Sequence, residues 1–268
     1  MKGGCFLVAT PIGNLKDITL RALEVLKEVD IIACEDTRHT LRLLNHYGIK
    51  KPLISYHEHK EQEGAAEIID LIKKGKNIAL VSDAGMPCIS DPGALLVRAL
   101  RDEGIDVWVV PGASALTSAI SLSGYQGNFT FLGFLKGRSK QVEMNIRQFK
   151  DIHSALVIYC APHDLQKTLD LLYSYLERRK VCVVKEMTKI YESITYGYLG
   201  ELKVESPKGE YVIIVYPPEK MEQENNIDIE KELQDLIIKG MSKKDAVNYL
   251  CEKHNLNKNK VYSVSLKL

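Results

Sequence analysis

The stretch Ile78-Ala79-Leu80-Val81-Ser82-Asp83-Ala84-Gly85-Met86-Pro87-Cys88-Ile89-Ser90-Asp91-Pro92-Gly93-Ala94 decides how this chain is read. Its first four residues form an uninterrupted apolar run, the pattern of a strand buried on both faces of a parallel sheet. A helical stripe starts at Ala94 and reaches Arg101. The twelve residues between contain two each of Gly, Pro, Asp and Ser. A strand-to-helix connection needs far fewer. Small residues let a ligand approach the backbone, and Asp and Ser supply polar partners. In open α/β sheets, ligands bind beyond the carboxyl ends of the strands. Ser82 to Gly93 is therefore a candidate binding segment at such an end.

On either side the same alternation repeats. Strands are expected at Cys5–Ala9, Ile31–Cys34, Leu53–Tyr56 and Val107–Val110. Leu20, Leu23, Leu26 and Val29 mark one helix, Arg38 to Tyr47 a second, and Ala65, Ile68, Ile69 and Ile72 a third. Gly48, Gly75 and Gly104 each follow a helix, where a left-handed residue is favoured. Asp36 or Thr37 suits the N-cap of the second helix. Strands alternating with helices imply βαβ units and a mostly parallel sheet. A helix over Ser114 to Leu122 ends this part, and Gly124 to Asn128 resembles a hinge. A second α/β part follows, with a strand near Phe129, then Leu156–Cys160, the helix Leu165–Leu176, Val181–Val184, an alternating run Ile190–Gly197 and Tyr211–Tyr216. Its later strands have antiparallel character, so a mixed sheet is expected. Pro217-Pro218 opens a polar linker. The tail reads as three short helices, Ile229–Ile238, Lys243–His254 with Ser242 as N-cap, and Lys258–Leu266 with Asn257 as N-cap, resembling a helix-turn-helix. The expected division is 1–124, 125–217, linker 218–227 and tail 228–268.

Bulk properties narrow the class. The chain has 268 residues, 45% hydrophobic and 26% charged, with a net charge of +1, which is ordinary for a globular protein. No apolar run approaches membrane-spanning length and no leader pattern stands at the start, so a cytoplasmic protein without a membrane is expected. The six cysteines, Cys5, Cys34, Cys88, Cys160, Cys182 and Cys251, lack metal-ligand spacing and read as reduced thiols. Cys88 and Cys160 fall near strand ends, where they can border a ligand. Charge is uneven: Lys136, Arg138, Lys140, Arg147 and Lys150 face only Glu143, and seven Lys after residue 238 face only Asp245 and Glu252. Either patch suits a phosphate backbone, and either suits a solvated helix face.

Standard dinucleotide and P-loop glycine patterns are missing, as is a G-x-S-x-G elbow. His57-Glu58-His59 lacks a third metal ligand, so no metal is expected. Four polar clusters, Thr10 to Asn14, Glu35 to His39, Tyr56 to Lys60 and Ser82 to Gly93, follow the first four strands. Parallel strands bring all four to one sheet edge, which capping alone does not explain.

Taken together, Val8-Ala9-Thr10-Pro11-Ile12-Gly13-Asn14-Leu15, Asp17 to Leu23, Glu35-Asp36-Thr37-Arg38-His39-Thr40, Ser55 to His59, Ser82-Asp83-Ala84-Gly85, Pro111-Gly112, Ser114-Ala115, Ala161-Pro162-His163, Glu186 and Thr188-Lys189 resemble the ribosomal RNA small subunit methyltransferase I family, within the tetrapyrrole methylase superfamily. The resemblance covers about residues 5 to 216, and the tail is similar to an extension many members carry. It implies a two-domain tetrapyrrole-methylase-like, class III methyltransferase fold with a small helical C-terminal extension, S-adenosylmethionine between the domains, and a homodimer. The implied reaction is 2′-O-methylation of a cytidine ribose in the decoding region of 16S ribosomal RNA (position 1402 in the family), in the small ribosomal subunit.

Carried over, the resemblance implies cofactor contacts at Pro11, Gly13, Ser82, Asp83, Ala84, Gly85, Ile89, Ser114, Ala115, Tyr159, Cys160, Ala161, Glu186 and Gly209. Where the family pattern has Thr, Gly and Pro, this chain has Met86, Cys88 and Ala113. The candidate bases at the cleft rim are Glu35, His39 and His57, with Asp36 and Glu58 beside them; spacing singles out none. Arg38, Glu58, Lys60, Lys136, Arg138, Lys140 and Lys189 are expected to contact RNA. The competing expectations are a methyltransferase for a small tetrapyrrole-like substrate and a non-catalytic nucleic-acid-binding protein.

Overall fold

The computed structural model describes residues 3–57, 60–135, 140–204, 208–219, 228–254, 258–266 and 268. The chain divides into two compact units, Met1–Pro218 and Glu219–Leu268.

The first unit holds two five-stranded sheets. Strands β1 (Cys5–Val8), β2 (Ile31–Cys34), β3 (Leu53–Ser55), β4 (Ile78–Val81) and β5 (Val107–Val110) form a parallel sheet in the order β3-β2-β4-β1-β5. Every residue of β4 is buried, as its apolar run requires. Helices α1 (Leu20–Glu28) and α2 (Thr37–His46) pack on one face around Leu26, Ile32, Leu44 and Val81. Helices α3 (Glu61–Lys73) and α4 (Ala94–Asp102) pack on the other around Ile68, Leu80, Leu96 and Leu100. The N-cap of α2 is Asp36, whose carboxylate accepts from the amides of Arg38 (2.7 Å) and His39 (3.4 Å). The glycines after α2, α3 and α4 take φ of +66°, +86° and +65°, the left-handed values that end a helix.

Helix α5 (Ala115–Ser123) leads to the second sheet, where β6 (Phe129–Phe134), β7 (Ala155–Cys160), β8 (Lys180–Lys185), β9 (Ser193–Tyr198) and β10 (Tyr211–Val215) follow the order β6-β7-β10-β8-β9. Only the β6–β7 pairing is parallel, so the sheet is mixed. Ala119 of α5 is buried on one face with Val157, Cys182, Val184 and Val212. On the other face, α6 (Lys140–Arg147) and α7 (Leu165–Leu176) pack around Ile146, Ile158, Leu169 and Ile213.

Two elements depart from the sequence reading. Helix α6 was hidden inside a run expected only to be basic, because Val142 and Ile146 are its sole apolar anchors among charges. The alternating run begins its strand at Ser193, not Ile190. Residues before it turn instead, with Lys189 N–H bonded to Glu186 O and Glu192 N–H to Lys189 O.

The tail unit has its own small core. Leu233 of α8 (Ile229–Ile238), Ala246, Val247 and Leu250 of α9 (Lys243–His254) and Val261 of α10 (Lys258–Ser265) are all buried together. Ser242 Oγ accepts from Asp245 N–H at 3.2 Å, the N-cap expected for α9. Asn257 and most of the 218–227 linker lie outside the described residues. Among the described residues, no helix is long and apolar enough to cross a membrane.

Candidate active site

The loops after β1 and β4 are joined at the sheet edge. Thr10 and Gly85 exchange both backbone hydrogen bonds, at 2.9 and 3.0 Å. Thr10 Oγ1 donates to Ser82 O (3.1 Å), and Ser82 Oγ donates to Gly85 O (3.2 Å). Asp83 Oδ1 accepts from Asp36 N–H (3.2 Å), tying in the loop after β2. At the far end, Gly93 N–H donates to Glu61 Oε1 of α3 at 2.9 Å. The Ser82–Gly93 segment is thus fixed at three places. Between them it is strained: Cys88 and Ser90 lie at φ of +69° and +61°, where an L side chain costs about 1–2 kcal/mol.

The second sheet approaches this edge through the turn after β8. A Cβ on Gly13 would fall 2.7 Å from Met187 O and 2.6 Å from Lys189 Cγ, so only glycine lets the two loops touch. Glu186 organises the turn. Its Oε1 accepts from Lys189 Nζ and Glu210 N–H, both at 2.8 Å, and Lys189 Nζ also reaches Glu210 Oε2 at 2.9 Å. The lysine's hydrogen bond, above all, holds the Glu186 carboxyl below its ordinary range. Gly209 leaves room for that carboxylate, since a Cβ there would lie 2.5 Å from its carbon.

Between the sheets lies a cavity of about 470 Å³. From the first-sheet side, Ile12, Glu35, Asp83, Ala84, Gly85, Met86, Ile89, Ser90, Asp91, Ser114 and Ala115 line it. From the second-sheet side come Phe134, Tyr159, Cys160, Ala161, Pro162, Met187, Glu210, Tyr211 and Val212. The Tyr159 ring is wedged edge-on between Phe131 and Phe134, with centroids 4.8 and 5.5 Å away. Burial, reinforced by Glu35 and Asp83, pushes the Asp91 carboxyl up to about 6. A smaller cavity of about 300 Å³ adjoins, lined by Thr10, Pro11, Gly13, Leu15, His39, Arg42, Leu43 and Lys189. It shares Ile12, Asp83, Ala84 and Glu210 with its neighbour.

Nine of the fourteen residues expected at a cofactor line the larger cavity: Asp83, Ala84, Gly85, Ile89, Ser114, Ala115, Tyr159, Cys160 and Ala161. Pro11 and Gly13 line the smaller one. Ser82, Glu186 and Gly209 stand behind the lining and hold its loops. Of the three candidate bases, Glu35 faces the larger cavity, His39 the smaller, and His57 lines neither. Lys189 reaches the smaller cavity; Arg38, Lys60 and Lys140 line neither, and Lys140 begins a helix on the sheet face opposite α5. Glu58, Lys136 and Arg138 lie outside the described residues. Cys160 borders the larger cavity, whereas the Cys88 sulfur turns toward Gly93. Among the described residues no metal-binding cluster occurs. Sequence reasoning missed Asp91 as an individual residue and Arg42, Phe134, Met187, Glu210 and Tyr211 altogether. Asp91 had a signal, its place in the long loop, and Arg42 had another, its place three residues after His39 on α2; the others come to the site through the packing of the second sheet.

The profile of the tetrapyrrole (corrin/porphyrin) methylases matches residues 4–203. The chain belongs to this family. Among curated methylases it is 46% identical over 215 residues to ribosomal RNA small subunit methyltransferase I of Coprothermobacter proteolyticus, covering 80% of this chain and 98% of that one. It is 40% identical to the protein of the same name from Halalkalibacterium halodurans, covering 98% and 94%. The relative of that name in Bacillus subtilis is 38% identical, covering 97% and 93%. At this level of identity the chain falls with the ribosomal RNA small subunit methyltransferase I group of the family. Its fold is that of the methyltransferase CobJ (TM-score 0.64, 18% identity, 81% and 95% covered) and of diphthine synthase (0.64, 17%, 80% and 89%).

Proposed function

We propose that this methylase transfers a methyl group from S-adenosylmethionine to the 2′-hydroxyl of a cytidine in the decoding region of 16S ribosomal RNA, at position 1402 by the family resemblance. The observation that carries the reading is an identity of 38–46%, over most of the chain, to relatives named for ribosomal RNA small subunit methylation. The site fits the cofactor. Its volume lies in the usual range for cofactor cavities. Ala84, Gly85, Ala115 and Ala161 leave the backbone approachable, the aromatic second-sheet wall suits a purine, and Glu35, Asp83 and Asp91 suit a cationic group. When bound, the cofactor supplies an electrophilic methyl on a sulfonium.

The residues of this chain do the positioning. Asp83 is held by Asp36 N–H, so its carboxylate is fixed before a ligand arrives. Tyr159 and Phe134 stand edge-on to one another on the second side and offer it an aromatic surface. Of the expected bases, Glu35 remains our assignment, and Asp91 joins it. A carboxyl with a pKa of about 6 is ionised at pH 7.5 yet more basic than an ordinary Asp, which suits it to take the hydroxyl proton. The target nucleotide must be unstacked to enter such a cleft. Small subunits in the cytoplasm and a homodimeric enzyme complete the proposal.

The test is transfer of a labelled methyl group from S-adenosylmethionine to small ribosomal subunits from a strain lacking the enzyme, with naked 16S RNA in parallel. Label at a cytidine ribose is expected. Label on neither, with cofactor binding confirmed by calorimetry, overturns the RNA reading.

A further inference from the structure

The smaller cavity adjoins the larger one, and its charge differs in kind from that of its neighbour. Every ionisable side chain on the larger cavity is acidic or a tyrosine or cysteine: Glu35, Asp83, Asp91, Glu210, Tyr159, Tyr211 and Cys160. The smaller cavity adds three basic side chains, His39, Arg42 and Lys189. His39 and Arg42 are three residues apart on α2, so they stand one above the other on one helix face, with Leu43 beside them. That helix buries Thr40, Leu43 and Leu44, which fixes the orientation of the face. Lys189 is already paired with Glu186 and Glu210. Arg42, by contrast, forms no ion pair or side-chain hydrogen bond with any described residue, and its side chain is exposed. Arginine presents planar paired donors that match phosphate oxygens.

We propose that the smaller cavity is a docking site for one backbone phosphate of the substrate RNA, held by Arg42 with His39, beside the cavity where the methyl group is transferred. This rests on the RNA reading above. The two cavities share Ile12, Asp83, Ala84 and Glu210, so a phosphate in one places its neighbouring ribose at the mouth of the other. Glu35 and Asp91, which line the larger cavity alone, repel a diester from that side and steer it toward Arg42. Lys189, already neutralised, fixes the opposite wall rather than adding free charge.

The test uses the full-length protein and small subunits that accept label. Arg42→Ala should raise the KM for subunits about ten-fold, a loss of roughly 1.4 kcal/mol. It should also reduce the slope of log affinity against log salt by about one. Arg42→Lys should recover part of the KM and the whole of the salt slope. The affinity for S-adenosylmethionine, measured by calorimetry, should stay within two-fold in both variants. An unchanged KM and salt slope in Arg42→Ala overturns the proposal, and so does an equal loss of cofactor affinity. If the wild-type protein labels no subunits at all, it is the RNA reading that fails. Labelling with an indifferent Arg42 removes the phosphate site alone.

Discussion

The two walls of the larger cavity are built on different principles. The first-sheet wall is mostly loop, and hydrogen bonds hold it: Thr10 to Gly85, Ser82 to Gly85, Asp36 to Asp83 and Glu61 to Gly93. It tolerates left-handed Cys88 and Ser90 because its ends are tied down. The second-sheet wall is strand and aromatic side chain, held by packing of Phe131, Phe134, Tyr159 and Met187. A polar wall of fixed backbone and an apolar wall of rings suit a ligand with a charged end and a flat apolar end. The difference teaches that one wall is fixed by backbone geometry and the other by side-chain volume, so the two should fail differently.

The largest effect is expected where the walls meet. Gly13→Val puts a branched side chain against Met187 O and the Thr188 hydroxyl, neither of which can withdraw cheaply. The loops should part, with a cost of about 3 kcal/mol or more and a loss of cofactor affinity on the order of 100-fold. Calorimetric titration and a melting curve check this; affinity within three-fold of wild type would show the seam is not needed.

Breaking the apolar wall comes next. Tyr159→Ala should lower stability by about 2–3 kcal/mol, less than a full core deletion because the ring faces the cavity. Tyr159→Phe should keep the packing and most of the affinity. Equal losses in both variants would mean the hydroxyl, not the ring, matters.

Asp91 probes the polar wall through pH. Its carboxyl is raised from 3.8 to about 6, so the folded protein prefers the protonated form. The resulting penalty is absent below about pH 4, grows as pH rises toward 6 and is constant above. Allowing for partial exposure, it amounts to about 1–2 kcal/mol. Asp91→Asn should therefore melt higher than wild type at pH 7.5 and equally at pH 4. The same variant should lose the acidic limb of the rate profile, in which wild-type kcat falls below about pH 6. Identical profiles for the two proteins would remove Asp91 from proton transfer.

The smallest effect is expected at Cys88. Cys88→Gly relieves a left-handed cysteine but gives up the contact of its sulfur with the Gly93 region. The net gain should be about 0.5–1 kcal/mol, or roughly 1–3 °C in melting temperature. A lower melting temperature would mean that packing outweighs strain in this wall as it does in the other.

Much of this molecule was legible in its residues. The apolar runs Ile31–Cys34, Ile78–Val81 and Val107–Val110 gave strands with correct ends; the first two are buried in the middle of a parallel sheet, whereas the third is an edge strand with Trp108 and Val109 exposed. The glycines at 48, 75 and 104 marked helix ends for a local steric reason. The long loop at Ser82–Gly93 announced a site because it is too polar and too long for a turn. Helix α6 escaped because two apolar anchors among charges give no clear period. His57 was drawn to the site by its motif, yet lines neither cavity.

Sequence by itself determined most of the elements, the parallel character of the first sheet, and the edge at which the polar loops gather, since each follows from local sterics and the burial period. Tertiary structure alone decided the order β3-β2-β4-β1-β5, the seam at Gly13, and which acidic and basic residues fall in which cavity. Those depend on contacts between residues as far apart as Gly13 and Lys189 or Thr10 and Gly85. No local propensity encodes such contacts; they arise when two sheets bury their faces against shared loops.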